Sequence, residues 1–538
     1  MAAKEASRVI VAGAGMSGLT AAAYLARAGC KVMVIEKNKD CGGLVSSFQR
    51  AGFHFDAGAK SILNAGILRP MLKQLGIDLD LSPARVSIGI ENKVIDFDSK
   101  ERLGDYQRLL EHFYPESAED IKQIITCIER VWKDMAVMYG IDNPFFVDVI
   151  KNPRYLFKKM LPWLGKFLQT ISRIGKLQEP VEEYLHRFSS NQPLIDIIAQ
   201  HFFKNTPMFF ALGYFYVYLD YMYPKGGTGN ISKYLKQKII EWGGEIKTGL
   251  TVTRIRPSTS EIIDSIGNSH AFSHLIWCAD LKTFYAALDE LACPEKIRRE
   301  IQETRAKLAT KRGGDSIFAL YCGIDEPSGT FKAISRGHFF YTPSRKGLGE
   351  IHRSTLRSLV DHFEDTPKEL VLHWLDEYCK YTTYEISIPS LRDPSLAPEG
   401  KTGINFSMLF EYDLIKKVQE ASWYGEFKKE VESRVLNVVS STIYPCIKEK
   451  LLFCFSSTPL DVERFAGTSE GAITGWSYES PVPAVNDLRK IARAVKTPIP
   501  NIWQAGQWTF SPAGMPTSIL TGWFAARQVM KKVARAHP

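Results

Sequence analysis

The sharpest pattern of apolar and polar positions lies in the first sixty residues. Arg8-Val-Ile-Val-Ala12 is a short β-branched run without alternation, which predicts a strand buried on both faces of a parallel sheet. Leu19 to Ala28 is alanine-rich with leucine at helical spacing, and Lys31-Val-Met-Val-Ile35 is a second buried strand that ends on Glu36. Together they predict a βαβ unit. Further along, the pattern is mostly helical over 103–215 and predicts a helix from Ile231 to Trp242. It becomes strand-rich from about 313 to 410, beginning at Asp315-Ser-Ile-Phe-Ala-Leu-Tyr-Cys322. A strand and turn at Asn501 to Gln507 precede a last helix from Ile519 to Val533. The expected fold class is α/β, a Rossmann-like domain with an α+β partner that contains a helical part.

Gly13-Ala-Gly15-Met-Ser-Gly18 joins the first strand to the first helix, and each glycine has a physical task. Gly13 permits the tight turn, Gly15 lets backbone approach a pyrophosphate, and Gly18 lets helix and strand pack closely. The helix N-terminus offers unpaired N–H groups and partial positive charge to phosphates. At the end of the second strand, the Glu36 carboxylate is placed to accept hydrogen bonds from ribose hydroxyls, and it disfavours a 2′-phosphate. A glycine triplet alone is weak; in this βαβ context it predicts a dinucleotide site.

Downstream residues separate the candidate cofactors. Cys41-Gly-Gly43-Leu44 and Gly52-Phe-His-Phe-Asp56-Ala-Gly58 follow Glu36, and an NAD dehydrogenase has no reason to carry that second glycine pair. The arrangement resembles the flavoprotein superfamily of amine oxidases, protoporphyrinogen oxidase and carotenoid desaturases. Tyr223-Pro-Lys-Gly226-Gly227, the strand around Val252, and His274-Leu-Ile-Trp-Cys-Ala279-Asp280 look like its carotenoid (phytoene) desaturase and retinol saturase group. So do Ser387 to Lys401, Thr458 to Phe465, and Ser511-Pro-Ala-Gly514-Met-Pro516. The resemblance is weakest between about residues 100 and 205.

That resemblance implies FAD as cofactor and a contact set scattered along the chain. Gly13, Gly15, Met16, Ser17 and Gly18 would form the first turn, and Glu36 and Lys37 the ribose end. Gly42, Gly43, Leu44, Gly58 and Ala59 would lie along the pyrophosphate, the ribityl chain and the approach to the flavin. Val252 would contact adenine through its backbone, and Gly506, Gln507, Met515 and Ser518 would lie near the flavin. Many relatives carry Asp where this chain has Gln507, so the ribityl contact there is a departure. The FAD-binding domain is expected to be assembled from 1–85, 225–285 and 496–538, with a substrate domain from 86–224 and 286–495.

Composition narrows the setting. A chain of 538 residues, 45% hydrophobic and 24% charged, is an ordinary globular protein of more than one domain. Its nine cysteines show no C-x-x-C spacing, which suits free thiols in a reducing compartment, and no metal-ligand constellation emerges. Val9 to Gly29 lacks a cleavage site, and Met208 to Tyr223 is interrupted by Asp220 and short for a span. The expected location is cytoplasmic, with attachment to a membrane surface.

The attachment expectation comes from residues 151–176, which hold seven basic residues and no acidic one. On a helical wheel Phe157, Met160, Leu161, Leu164, Leu168 and Ile171 share a face with Trp163 at its margin. Lys158, Lys159, Lys166, Arg173 and Lys176 lie opposite, and Pro162 is expected to kink or divide the helix. This is the pattern of an interfacial helix on an anionic membrane; an amphipathic helix on the protein core with a solvated basic face is the plain alternative. The basic excess is local and no nucleic-acid signature accompanies it. The aromatic run Met208 to Tyr223 reads either as a lined tunnel for a long apolar ligand or as core packing.

The expected chemistry is hydride exchange at flavin N5 with carbon–carbon bonds of a polyene or isoprenoid lipid: desaturation, saturation or isomerisation. An amine oxidase-like enzyme is one alternative. A lipid- or prenyl-binding protein on the same fold, like the Rab GDP dissociation inhibitors, is another. Spacing selects no general base; His54, Asp220 and Tyr223 are candidates by position, and His201 reads as either active-site or core. Oligomeric state is not legible.

Overall fold

The computed structural model describes residues 8–536. Its nucleotide-type core is a five-stranded, all-parallel sheet in the order 245–248, 31–36, 8–12, 274–277, 502–504. Strands distant in sequence become neighbours because each is apolar on both sides. Val9 and Val11 pack among the helices Met16–Arg27, Asn230–Glu241 and Met515–Ala536. Ile10 and Ala12 pack on the opposite face, against Val252, Leu281 and Trp476. The unbroken Val-Ile-Val run follows from that double burial.

The second layer is a seven-stranded mixed sheet in the order 451–457, 316–324, 402–410, 384–387, 338–342, 86–90, 93–97. One face carries Tyr341, Ile386 and Phe406 into a core with the helices Lys368–Tyr381 and Tyr424–Thr442. The strand-rich expectation for 313–410 is corrected in two respects. The helices Ser354–Asp361 and Lys368–Tyr381 interrupt that stretch, and the sheet recruits 451–457 and 86–97 from outside it. Periodicity shows strands but not which distant strands pair.

Helices Leu103–Phe113, Ala118–Tyr139, Gln192–Ala199 and Met208–Val217 form a third core. The basic segment stays helical from Pro153 to Ile174 and is not divided at Pro162. The irregularity is taken up by a π-helical turn over Leu156–Met160 just before the proline. The expected apolar face is also split. Trp163 and Phe167 stack at 4.2 Å and turn inward, with Trp163 Nε1 donating to the Val137 carbonyl at 2.6 Å, and Ile171 is buried beside them. Phe157, Leu161, Leu164 and Leu168 stay on the surface. Arg173 is not on a free basic face: its Nε donates to Asp134 Oδ2 at 3.1 Å. Among the described residues no helix is long and apolar enough to cross a membrane.

Candidate functional site

A single cavity of about 700 Å³ runs from the first glycine turn to the inner face of the seven-stranded sheet. At its first end, Gly13 has φ +100°, and a Cβ there would come 3.0 Å from the Cys278 carbonyl, so a glycine is required for the turn. Gly18 lies behind the wall; its Cβ would stand 1.9 Å from the Gly13 carbonyl oxygen, which is where helix and turn touch. Gly15 differs. A Cβ there would meet nothing within 4 Å, and Gly15, Met16 and Ser17 border the cavity at the start of helix Met16–Arg27.

Glu36 is buried in the same wall. Its Oε2 accepts from Ala14 N–H at 2.7 Å and its Oε1 from Asn38 N–H at 2.9 Å. Lys37 lies beside it, and Val252 opens the neighbouring strand Val252–Arg256. Gly42 N–H donates to the Ala14 carbonyl at 2.8 Å, which ties the second glycine pair to the first turn and brings Gly43 and Leu44 into the wall. Ala59 N–H donates to the Leu44 carbonyl at 2.9 Å, setting Gly58 and Ala59 next along. Gly506 and Gln507 approach from the last sheet strand, and Met515 and Ser518 present the N-terminus of helix Met515–Ala536.

His54, Asp220 and Tyr223 are not brought to the cavity. His54 hydrogen-bonds Gln49 across the hairpin 47–56. Asp220 Oδ2 accepts from Ala65 N–H at 2.6 Å, holding a turn. Tyr223 is 1% exposed and donates through its hydroxyl to Asp56 Oδ2 at 2.8 Å. Asp56 also accepts from Ser47 Oγ at 2.8 Å and from Thr228 N and Oγ1 at 2.9 Å each. Asp56 is therefore a structural tie between the hairpin 47–56 and the segment from Tyr223 to Thr228. His201 does border the cavity, with its ring 5.7 Å from that of Phe340, and burial pushes its pKa down to about 4.

Sequence reasoning missed the polar group at the far end. Phe340, Glu385 and Ser407 are successive register partners on three strands, and all three face the cavity. His338 Nε2 pairs with Glu385 Oε1 at 2.9 Å and its Nδ1 with Ser61 Oγ at 2.8 Å, while Tyr221 stacks on its ring. Burial favours the neutral ring, and in the tautomer that fits both contacts Nε2 donates to the ionised Glu385 and Nδ1 accepts from Ser61. Burial lowers the His338 pKa, which Glu385 only partly opposes. Burial would raise that of Glu385, but His338, Lys60 and Arg392 bring it below the usual value. One signal was available: Lys60-Ser61 directly follows Gly58-Ala59. Polar residues in inward strand positions at 338 and 385 were the other.

These surroundings fit FAD. An open backbone surface at Gly15, two helix N-termini at one cavity, and a buried carboxylate at the strand end match a pyrophosphate, a flavin and a ribose diol. The comparisons agree. The chain is 21% identical to the inactive all-trans-retinol 13,14-reductase of Danio rerio, over 97% of this chain and 86% of that one. It is 22% identical to a 4,4'-diapophytoene desaturase (4,4'-diaponeurosporene-forming) of Staphylococcus aureus, over 98% and 99%. An oxidoreductase of Methanosarcina mazei shares its fold with a TM-score of 0.60 at 16% identity, over 97% of this chain and 100% of that one. The model of the flavin containing amine oxidoreductase family matches residues 16–311, the stretch that holds the first helix from its N-terminus, the Glu36 carboxylate and the Gly42 to Ala59 part of the cavity wall. The chain belongs to that family and is a flavin-dependent oxidoreductase whose cofactor is FAD.

Proposed function

We propose that the protein exchanges hydrogen with carbon–carbon bonds of a long apolar polyene or isoprenoid. The observation that carries this reading is the continuity of the cavity. Beyond Gly58 and Ala59 its wall includes Phe202, Phe210, Tyr214, Tyr221 and Phe340, with Leu409 and Ile317 from the sheet, beside the polar group of Lys60, His338 and Glu385. The aromatic part of this wall holds an apolar chain by area rather than by hydrogen bonds. The name of one relative, a diapophytoene desaturase, supports it, and that of the other, an inactive retinol reductase, supports only the polyene class of ligand.

Bound FAD supplies hydride acceptance or delivery at N5. The chain's own residues do the rest. The N-terminus of helix Met515–Ala536 opens on the cavity and would stabilise negative charge on the group bound there. Ser61, His338 and Glu385 form a hydrogen-bonded chain that can hold or move a proton between Ser61 Oγ and Glu385 Oε1. The rings of the 202–221 segment orient the substrate. Anaerobic mixing of the flavin-loaded protein with polyenes tests the reading. Loss of flavin colour with a product lighter by two hydrogens, or the reverse from reduced flavin, is expected. Bleaching by amines alone, with every polyene inert, would overturn it.

Membrane attachment belongs to the same proposal. Phe157 (66% exposed), Leu161, Leu164 and Leu168 (50% exposed) form an i, i+4, i+7, i+11 stripe flanked by Lys158, Lys159 and Lys166, and Ile150 nearby is 90% exposed. An apolar stripe with lysines at its border suits insertion between anionic headgroups.

A further inference from the structure

Lys60 is 2% exposed, yet it borders the cavity, and its ammonium makes one hydrogen bond, to the Asp56 carbonyl at 3.3 Å. Among the described residues no carboxylate lies within 4.0 Å of it. The face of the Tyr321 ring lies 5.7 Å from the ammonium, but among the described residues no second oxygen accepts from it, a costly arrangement that a ligand oxygen would relieve. Glu385 faces the same space. Its side chain is 35% exposed although protein surrounds it, because that surface opens into the cavity, and His338 uses only its Oε1. Arg392 closes the back of the cluster, donating to the Lys60 carbonyl at 2.6 Å and to Ser61 Oγ at 3.3 Å.

The charges around this point already balance. Lys60 and Arg392 are the cations; Asp56 and Glu385 are the anions, and the Asp56 carboxylate is occupied by Tyr223, Thr228 and Ser47. A ligand carboxylate would pair with Lys60 but would also face the Glu385 carboxylate across the same space, a like-charge repulsion that a neutral hydroxyl avoids. A pure hydrocarbon would leave Lys60 and Glu385 Oε2 unsatisfied. We propose that this cluster is a receptor for a neutral hydroxyl at one end of the apolar substrate, which accepts from Lys60 Nζ and donates to Glu385 Oε2. The substrate class is then an isoprenoid or polyene alcohol rather than a carotene-type hydrocarbon or an acid. This rests on the apolar-substrate reading above and narrows it.

The test is binding of geranylgeraniol, geranylgeranic acid and the hydrocarbon lacking the terminal oxygen to the flavin-loaded protein, read by tryptophan quenching. The ratio of variant to parent affinity for one ligand cancels that ligand's own solubility. Lys60→Met is expected to weaken the alcohol about tenfold or more and the hydrocarbon less than about twofold, the signature of a lost hydrogen bond. Glu385→Gln, which removes a charge but keeps the shape, is expected to weaken the alcohol and tighten the acid, an inversion that a merely structural role would not produce. Flavin content of each variant reports whether the fold survives. Equal effects of Lys60→Met on alcohol and hydrocarbon, or none on either, would overturn the receptor while leaving the apolar-substrate reading intact. Failure of all three tails to bind the parent would overturn both.

Discussion

Ala14 and Glu36, 22 residues apart, are joined by a 2.7 Å hydrogen bond from the Ala14 N–H to Glu36 Oε2. The same turn receives Gly42 N–H at the Ala14 carbonyl, so one residue binds the end of the second strand and the second glycine pair together. The cofactor end of the cavity is therefore held by Glu36 as well as lined by it.

Glu36→Ala is expected to cost on two counts. The buried Ala14 N–H loses its acceptor, about 1–3 kcal/mol of stability, and the ribose diol loses its partner. Melting of the flavin-free protein reads the first effect and flavin retention on dilution reads the second. Glu36→Gln, which keeps one acceptor oxygen, should fall between.

Gly15 and Gly18 should separate binding from folding. Gly15→Ala places a methyl in open cavity, so the flavin-free protein should melt within about 0.5 kcal/mol of the parent while flavin affinity falls about tenfold or more. Gly18→Ala drives a methyl into the Gly13 carbonyl, a backbone atom that cannot swing aside, and should cost about 3 kcal/mol or more before any cofactor is added. Equal melting temperatures for the two flavin-free variants would contradict this assignment.

Tyr223 and Asp56 should behave as structural residues. Tyr223→Phe is expected to lose about 0.5–1.5 kcal/mol, up to about 3 for a bond to a charged group, and to leave turnover within about twofold. Asp56→Ala strands four donors and should approach about 3–5 kcal/mol, read by denaturant unfolding. A collapse of turnover in a stable Tyr223→Phe would restore Tyr223 as a reacting group.

Two buried groups pull stability in opposite directions in mild acid. Burial depresses His201 from 6.5 to about 4, so its contribution is present above 6.5 and is lost as pH falls toward 4. Burial raises Asp315 from 3.8 to about 6, so its contribution is present below 3.8 and is lost as pH rises through 6. Between these limits the two slopes oppose each other. Relative to the parent, His201→Gln should make stability fall more steeply with rising pH, and Asp315→Asn should make it rise. Denaturant midpoints across that window give both signs.

Replacing Lys158, Lys159 and Lys166 by glutamine should weaken co-sedimentation with anionic vesicles by about 1 kcal/mol per lysine, with the effect shrinking as salt is added. Phe157→Glu should weaken it on neutral and anionic vesicles alike, since it removes inserted apolar area. Unchanged vesicle binding in both variants would remove the helix from the attachment surface.

The sequence by itself determined the cofactor end. Strand, glycine turn, helix and terminal acid are consecutive, and each demand there is local: a positive φ at Gly13, a close approach at Gly18, an apolar strand at 8–12. Tertiary structure decided the rest. His338 meets Ser61 across 277 residues, and it faces the cavity because strand register gives Phe340 and Glu385 the same face. A shift of one position would have turned all three into the opposite core, and no local pattern encodes which distant strands pair. The same holds for residues 151–176, where the wheel put Phe157, Leu161, Leu164, Leu168 and Ile171 on one face that the structure splits. Only packing on the helix Ala118–Tyr139 decided that Trp163 and Ile171 turn inward while Phe157 and Leu168 stay out. Local backbone demands can be read along the chain; the partners of a side chain depend on burial that the whole fold has to create.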